Sequence, residues 1–193
     1  MTKDLGPLDP ALMDKLGPLA ALVGSWKGDQ GMNVSHDHGV GKVTKTPYRE
    51  EMTFSAFGPV DNGRQHLYGL DYRTAAWKAG KEDPFHTEVG YWLWDSATST
   101  VMRCFMVPRG STILAGGQCS PDAMTFTMTA EAGQPDFGIV SNPYLVENAN
   151  VVRYTNTVTI DGDTLSYEEN TVLDMKEYDD LLDHPDSNVL TRA

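Results

Sequence analysis

The segment His86-Thr-Glu-Val-Gly-Tyr-Trp-Leu-Trp-Asp95 decides the fold. Successive side chains of an extended chain point to opposite faces. His86, Glu88, Gly90, Trp92 and Trp94 therefore share one face, and Thr87, Val89, Tyr91 and Leu93 share the other. Neither face is plainly the solvated one. The next run repeats the pattern, with Val101, Arg103, Phe105 and Val107 opposed to Met102, Cys104 and Met106. A simple two-sheet sandwich gives a cleaner polar-out alternation, whereas a sheet with one face on a lined cavity gives this mixed one. On that reading His86, Glu88 and Arg103 face a pocket. The alternative is an outer face, with His86 and Glu88 solvated near a strand end and Arg103 pairing across strands.

Outward from these two runs, the chain from Val23 onward is built of short segments rich in Thr, Val, Tyr, Phe and Trp between Gly, Asp, Asn and Pro clusters. Strands are predicted at about 24–34, 49–57, 65–73, 86–95, 100–107, 111–118, 123–130, 151–160 and 164–173. Asp61-Asn-Gly63 and Asp161-Gly-Asp163 suit tight hairpin turns that need positive φ. The fold class that follows is all-β, an antiparallel up-and-down barrel of about ten strands with an internal ligand cavity. Before it, Asp9-Pro10 reads as a helix N-cap with proline at the first helical position, and Leu12, Leu16 and Leu19 recur at helical spacing. Residues 1–22 are expected to form a helical plug on one end of the sheet.

Two segments fit no strand pattern. Residues 130–150 carry two prolines and little periodicity and read as a long excursion able to cover a barrel mouth. The acidic stretch 174–193 is expected to lie near the mouth, with a helical turn ending at His184 before Pro185.

At 193 residues and 40 % hydrophobic, the chain suits one domain with one sizeable core. A formal charge of −12 and a pI near 4.6 disfavour nucleic acid and anionic membrane, both of which select clustered Lys and Arg. No apolar run of membrane-spanning length and no secretory signal pattern occurs, so a cytoplasmic location is expected. A homodimer is compatible with everything so far. Cys104 and Cys119, in strand-like segments, read as reduced packing residues. Nucleotide-loop, dinucleotide, serine-hydrolase and zinc-protease motifs are absent from the sequence.

Gly24-Ser-Trp26 opens the first strand after a helical segment and resembles the Gly-x-Trp signature of lipocalins, where the indole closes one end of the barrel. Three blocks carry a second resemblance, to the nitrobindin family of ten-stranded, fatty-acid-binding-protein-like heme barrels. They are Pro18-Leu-Ala-Ala-Leu-Val-Gly-Ser-Trp-Lys-Gly28 with Gly31, His86-Thr-Glu-Val-Gly-Tyr-Trp92, and Leu165-Ser-Tyr167 followed by the lone C-terminal His184. The resemblance implies b-type heme with His184 as axial iron ligand, and nitric oxide binding or peroxynitrite isomerisation as its chemistry. It also implies His86, Val107 and Thr171 as cavity wall. Trp92, Phe105 and Tyr167 share the inferred inward parity.

Other readings stay open. His86, Glu88 and Arg103 form either an acid/base cluster acting on a bound molecule or a buried Glu–Arg pair beside a ligand, and the pair is favoured. Arg109, in the turn Pro108-Arg109-Gly110, either reaches an anionic ligand group or is solvated. A heme-free carrier of an apolar or aromatic metabolite needs no axial histidine. His36 and His38 share a face if extended, but no third ligand is evident and a loop with two solvated histidines is favoured.

Overall fold

The computed structural model describes residues 9–37 and 42–193. His38 and the side chain of His36 lie outside the described residues. Among the described residues eleven strands close into one barrel: β1 Gly24–Asp37, β2 Lys42–Asn62, β3 Gln65–Lys78, β4 His86–Asp95, β5 Thr100–Val107, β6 Ser111–Gln118, β7 Thr125–Ala132, β8 Gly138–Ser141, β9 Ala149–Asp161, β10 Thr164–Met175 and β11 Leu182–Arg192. Their order around the barrel is β1-β11-β10-β9-β7-β8-β6-β5-β4-β3-β2, with β2 back against β1. All pairings are antiparallel except β7 with β8. The two expected hairpin turns are present, with Gly63 at φ +67 and Gly162 at φ +57, values that glycine adopts without a Cβ clash.

The parity of β4 and β5 is settled by burial. Glu88, Trp92, Trp94, Val101, Arg103 and Phe105 are buried, while Val89, Tyr91 and Met106 are exposed, so the His86–Glu88–Arg103 face points inward. Trp92 and Arg103 are direct cross-strand partners.

One end of the barrel is sealed. Helix α1, Pro10–Met13, starts on Asp9, whose carboxylate accepts from the Ala11 amide at 2.9 Å, and a 3-10 helix follows at Gly17–Leu22. Leu16, Leu19 and Leu22 are completely buried, each contributing about 1.5–3 kcal/mol of apolar burial. Trp26 Nε1 donates to the Leu22 carbonyl at 2.7 Å. The Arg192 guanidinium lies 4.3 Å from the Trp26 ring centroid and donates to the carbonyls of Val23 (2.7 Å) and Ala21 (3.0 Å). The plug is thereby tied to both the first strand and the last.

Gly17 has φ +54, and a Cβ there would sit 2.6 Å from the Trp94 indole. Gly17→Ala is expected to cost about 2 kcal/mol or more, from the left-handed backbone together with the crowding against Trp94. The measurement is a urea denaturation midpoint at unchanged slope. An unchanged midpoint would mean the plug is not seated on Trp94.

Two expectations are corrected. The C-terminal segment is no helical turn at His184: it is β11, paired to β10 (His184 opposite Thr171) and to β1 (Arg192 opposite Trp26), and it closes the barrel. Pro185 is tolerated because β1 pairing reaches only as far as Asp186, which leaves the next position on that side unpaired. The 130–150 excursion is not structureless: it contains β8, wedged between the ends of β6 and β7, and helix α2, Pro143–Asn148, capped by Asn142.

Candidate functional site

Between the sealed end and the opposite, open end lies a cavity of about 640 Å³, within the usual range of small-molecule pockets, roughly 300–1,000 Å³. His86, Glu88, Trp92, Arg103, Phe105, Val107, Arg109, Tyr167, Thr171 and His184, the residues singled out from sequence, all line it. Their depths differ. His86 at the start of β4, Val107 at the end of β5, Thr171 late in β10 and His184 at the start of β11 ring the open end. Trp92, Arg103 and Phe105 lie deeper. Arg109 is exposed at the rim. From the excursion, buried Leu145 also faces this space.

The deep wall is organised by Arg103. Its Nη2 donates to Glu88 Oε2 at 2.5 Å and to the Tyr72 hydroxyl at 3.0 Å, and its Nη1 donates to Glu169 Oε2 at 2.7 Å and to the Tyr154 hydroxyl. Each tyrosine in turn donates to the carboxylate on its own side, Tyr72 to Glu88 at 2.8 Å and Tyr154 to Glu169 at 2.6 Å. The guanidinium carbon stands 4.3 Å from the Phe105 ring centroid and 5.3 Å from that of Trp92. One cation is thus shared by two carboxylates inside an aromatic box.

Electrostatics divide the roles. Burial opposes the charge on Glu88, yet the Arg103 guanidinium and the bond from His86 hold its carboxyl down at about 2. Glu169, less favourably placed, is pushed above the usual range by burial despite the same guanidinium. His86 Nε2 lies 3.0 Å from Glu88 Oε1. Burial works to lower the His86 pKa, and its contact with Glu88 more than compensates, so the net shift is upward. A carboxylate stabilised that far is a weak base, because proton affinity is what general-base catalysis uses. The geometry includes both the buried Glu88–Arg103 pair and the His86–Glu88 contact.

A second network runs from the open end. Asn33 Nδ2 donates to His184 Nε2 at 2.7 Å and to Asp186 Oδ2 at 2.8 Å. Asp186 Oδ1 accepts from the Tyr48 hydroxyl, which lies 2.7 Å from that of Tyr167. Glu50 ends the chain, accepting from Tyr167 (2.8 Å), Asn188 (2.9 Å) and Thr74 (2.7 Å). Burial pushes its carboxyl up to about 7 against these three donors. Burial also lowers the His184 pKa, so the imidazole is neutral at pH 7. Of the two flanking aspartates, Asp183 points outward to Asn170 and Asp186 points inward.

The sequence reading missed Glu50, Tyr72, Tyr154, Asn156 and Glu169. For Glu169 a signal existed, since it shares parity with Tyr167 and Thr171. Cys104 and Cys119 are free thiols, partly buried, with the Cys104 pKa raised by burial to about 11.

The model of a family described as "THAP4-like, heme-binding beta-barrel domain" matches residues 15–192. Among solved structures, the crystal structure of Rv2717c from M. tuberculosis is similar, with a TM-score of 0.68 and 24 % identity over 97 % of this chain and 99 % of that one. At that identity the likeness speaks to the fold alone. No curated protein sequence matches the chain.

Proposed function

Since the chain belongs to the THAP4-like, heme-binding β-barrel domain family, we propose that it binds b-type heme at the open end of the cavity with His184 as axial ligand. The observation that carries this reading is the setting of His184: an inward-facing, partly buried imidazole at the cavity's open end, neutral at pH 7. Neutral imidazole is the form that ligates iron. Phe85, Val107, Leu173 and Met175 supply apolar wall around it. Heme held there would supply nitric oxide binding or the conversion of peroxynitrite to nitrate.

The residues fit with one adjustment. The Nε2 lone pair of His184 is already taken by Asn33, whose amide is oriented by its second bond, to Asp186. Ligation through Nε2 requires Asn33 to release it. Asp186 stays within reach as an acceptor that orients neighbouring groups.

Hemin titration followed by Soret absorbance tests the proposal. Saturable binding is expected for the wild type, with no defined Soret species for His184→Ala. Asn33→Ala is expected to bind about fivefold tighter, the size of one net hydrogen bond of about 1 kcal/mol. No binding to the wild type sinks the heme reading. A His184→Ala spectrum identical to wild type sinks the axial assignment.

The occupied Nε2 also favours a second reading, a heme-free carrier of an apolar or aromatic metabolite. Native mass spectrometry of freshly purified protein would then show an organic ligand of defined mass other than heme.

A further inference from the structure

We infer that the cavity contains a deep subsite, independent of the open end, that takes a hydroxyl group carried on an apolar aromatic body. Three buried polar atoms on this wall have no hydrogen-bond partner among the described residues: Trp92 Nε1, Arg103 Nε and Asn156 Oδ1. Their residues are 3 %, 4 % and 1 % exposed, and all three line the cavity. Buried polar groups are nearly always paired, so three orphans in one place mark a missing partner.

The three belong together. Trp92 and Arg103 are opposed across β4 and β5, so their N–H groups issue from adjacent wall positions. Asn156 Nδ2 donates to Glu169 Oε2 at 3.2 Å, the same oxygen that receives Arg103 Nη1 at 2.7 Å, which puts the Asn156 amide beside the guanidinium.

Donor count and charge then select the ligand group. Two N–H donors and one carbonyl acceptor are what a hydroxyl matches, with two lone pairs and one proton. A carboxylate fails on both grounds. It has no proton for Asn156 Oδ1, and the Arg103 charge is already shared between Glu88 and Glu169. The rings of Phe54, Tyr72 and Phe105 around the site suit an aromatic body, through edge and face contacts.

Calorimetric titration of the full chain, without added hemin, with 2-naphthol, 2-methoxynaphthalene and 2-naphthoate at pH 7.5 is the test. The methoxy compound accepts but does not donate, and the naphthoate is anionic. 2-Naphthol is expected to bind about tenfold tighter than either. In Asn156→Leu the ratio of naphthol to methoxynaphthalene affinity should fall about fivefold, whereas Trp92→Phe removes a donor that both compounds use and should weaken each about fivefold relative to naphthalene. Because each ratio is taken within one variant, a general loss of folding lowers both affinities and leaves the ratio standing. The inference is overturned if naphthoate binds as tightly as naphthol, if naphthol does not bind, or if the ratio is unchanged in Asn156→Leu.

Discussion

Arg103→Met should destabilise the protein by about 3–5 kcal/mol at pH 7.5, the cost of leaving buried charge uncompensated. The substitution keeps apolar volume and removes the one guanidinium that Glu88 and Glu169 share, leaving His86 as a basic neighbour of Glu88. Tyr72 and His86 remain on Glu88, and Tyr154 and Asn156 on Glu169, but without the shared guanidinium that is too little for two ionised groups in an aromatic box. The pH dependence carries the diagnosis. With Arg103 present, Glu88 has a depressed pKa of about 2, so its contribution to stability is in place above the ordinary carboxyl value of 4.5 and is lost as pH falls toward 2. Without Arg103, burial is opposed only by His86 and Tyr72, so the Glu88 pKa rises and the variant loses, as pH rises, stability that the wild type keeps. The deficit of Arg103→Met, read from urea unfolding, should therefore be clearly smaller at pH 5.0 than at pH 7.5. A triple variant with methionine also at positions 88 and 169 should regain much of the loss, because an apolar replacement of a whole buried ionic cluster is often neutral. A loss below about 1 kcal/mol, equal at both pH values, would mean the carboxylates are solvated through the cavity.

How far this cluster was legible in the sequence depends on its neighbours in the chain. Glu88 and Arg103 sit among Trp92, Trp94, Val101 and Phe105 at spacing two, so parity grouped them on one face, and burial shows that face to be the inner one. Glu169 lies in Glu168-Glu169-Asn170 and Glu50 in Arg49-Glu50-Glu51, runs that look solvated residue by residue. Only the aromatic residues two positions away, Tyr167 and Tyr48, mark the buried member of each. The last strand was hidden for a different reason. Asp183, Pro185, Asp186 and Ser187 have poor strand propensity, and β11 exists because closure offers it partners on both sides. Barrel closure is a non-local event that no window of local sequence contains. The same holds for Asn33 on His184, a contact between residues 151 apart in the chain.

Glu50→Gln should remove a stability loss of about 3 kcal/mol that the wild type undergoes between pH 5.0 and 8.5. Glu50 is 4 % exposed, and burial raises its pKa from 4.5 to about 7. The stability held by its protonated form is fully present below the unfolded value near 4.5 and is lost as pH rises through about 7, a displacement worth about 3 kcal/mol. Other groups titrate in the same window. Burial lowers the His184 pKa, which makes stability rise with pH up to about 6.5, the Glu88 contact raises that of His86, whose contribution is lost as pH rises, and burial raises those of Glu169 and Asp186. The wild-type profile is their sum, so the informative quantity is the difference between wild type and Glu50→Gln at each pH. That difference should grow in favour of the variant from pH 5.0 to 8.5. The glutamine can be accommodated: its carbonyl takes the bonds from Tyr167 and Asn188, and its amide donates to the Thr74 hydroxyl, which is free to donate to the Glu51 carbonyl 3.2 Å away. A difference that stays flat with pH would show that Glu50 is ionised in the folded protein across the whole range, held by its three donors rather than neutralised by its burial.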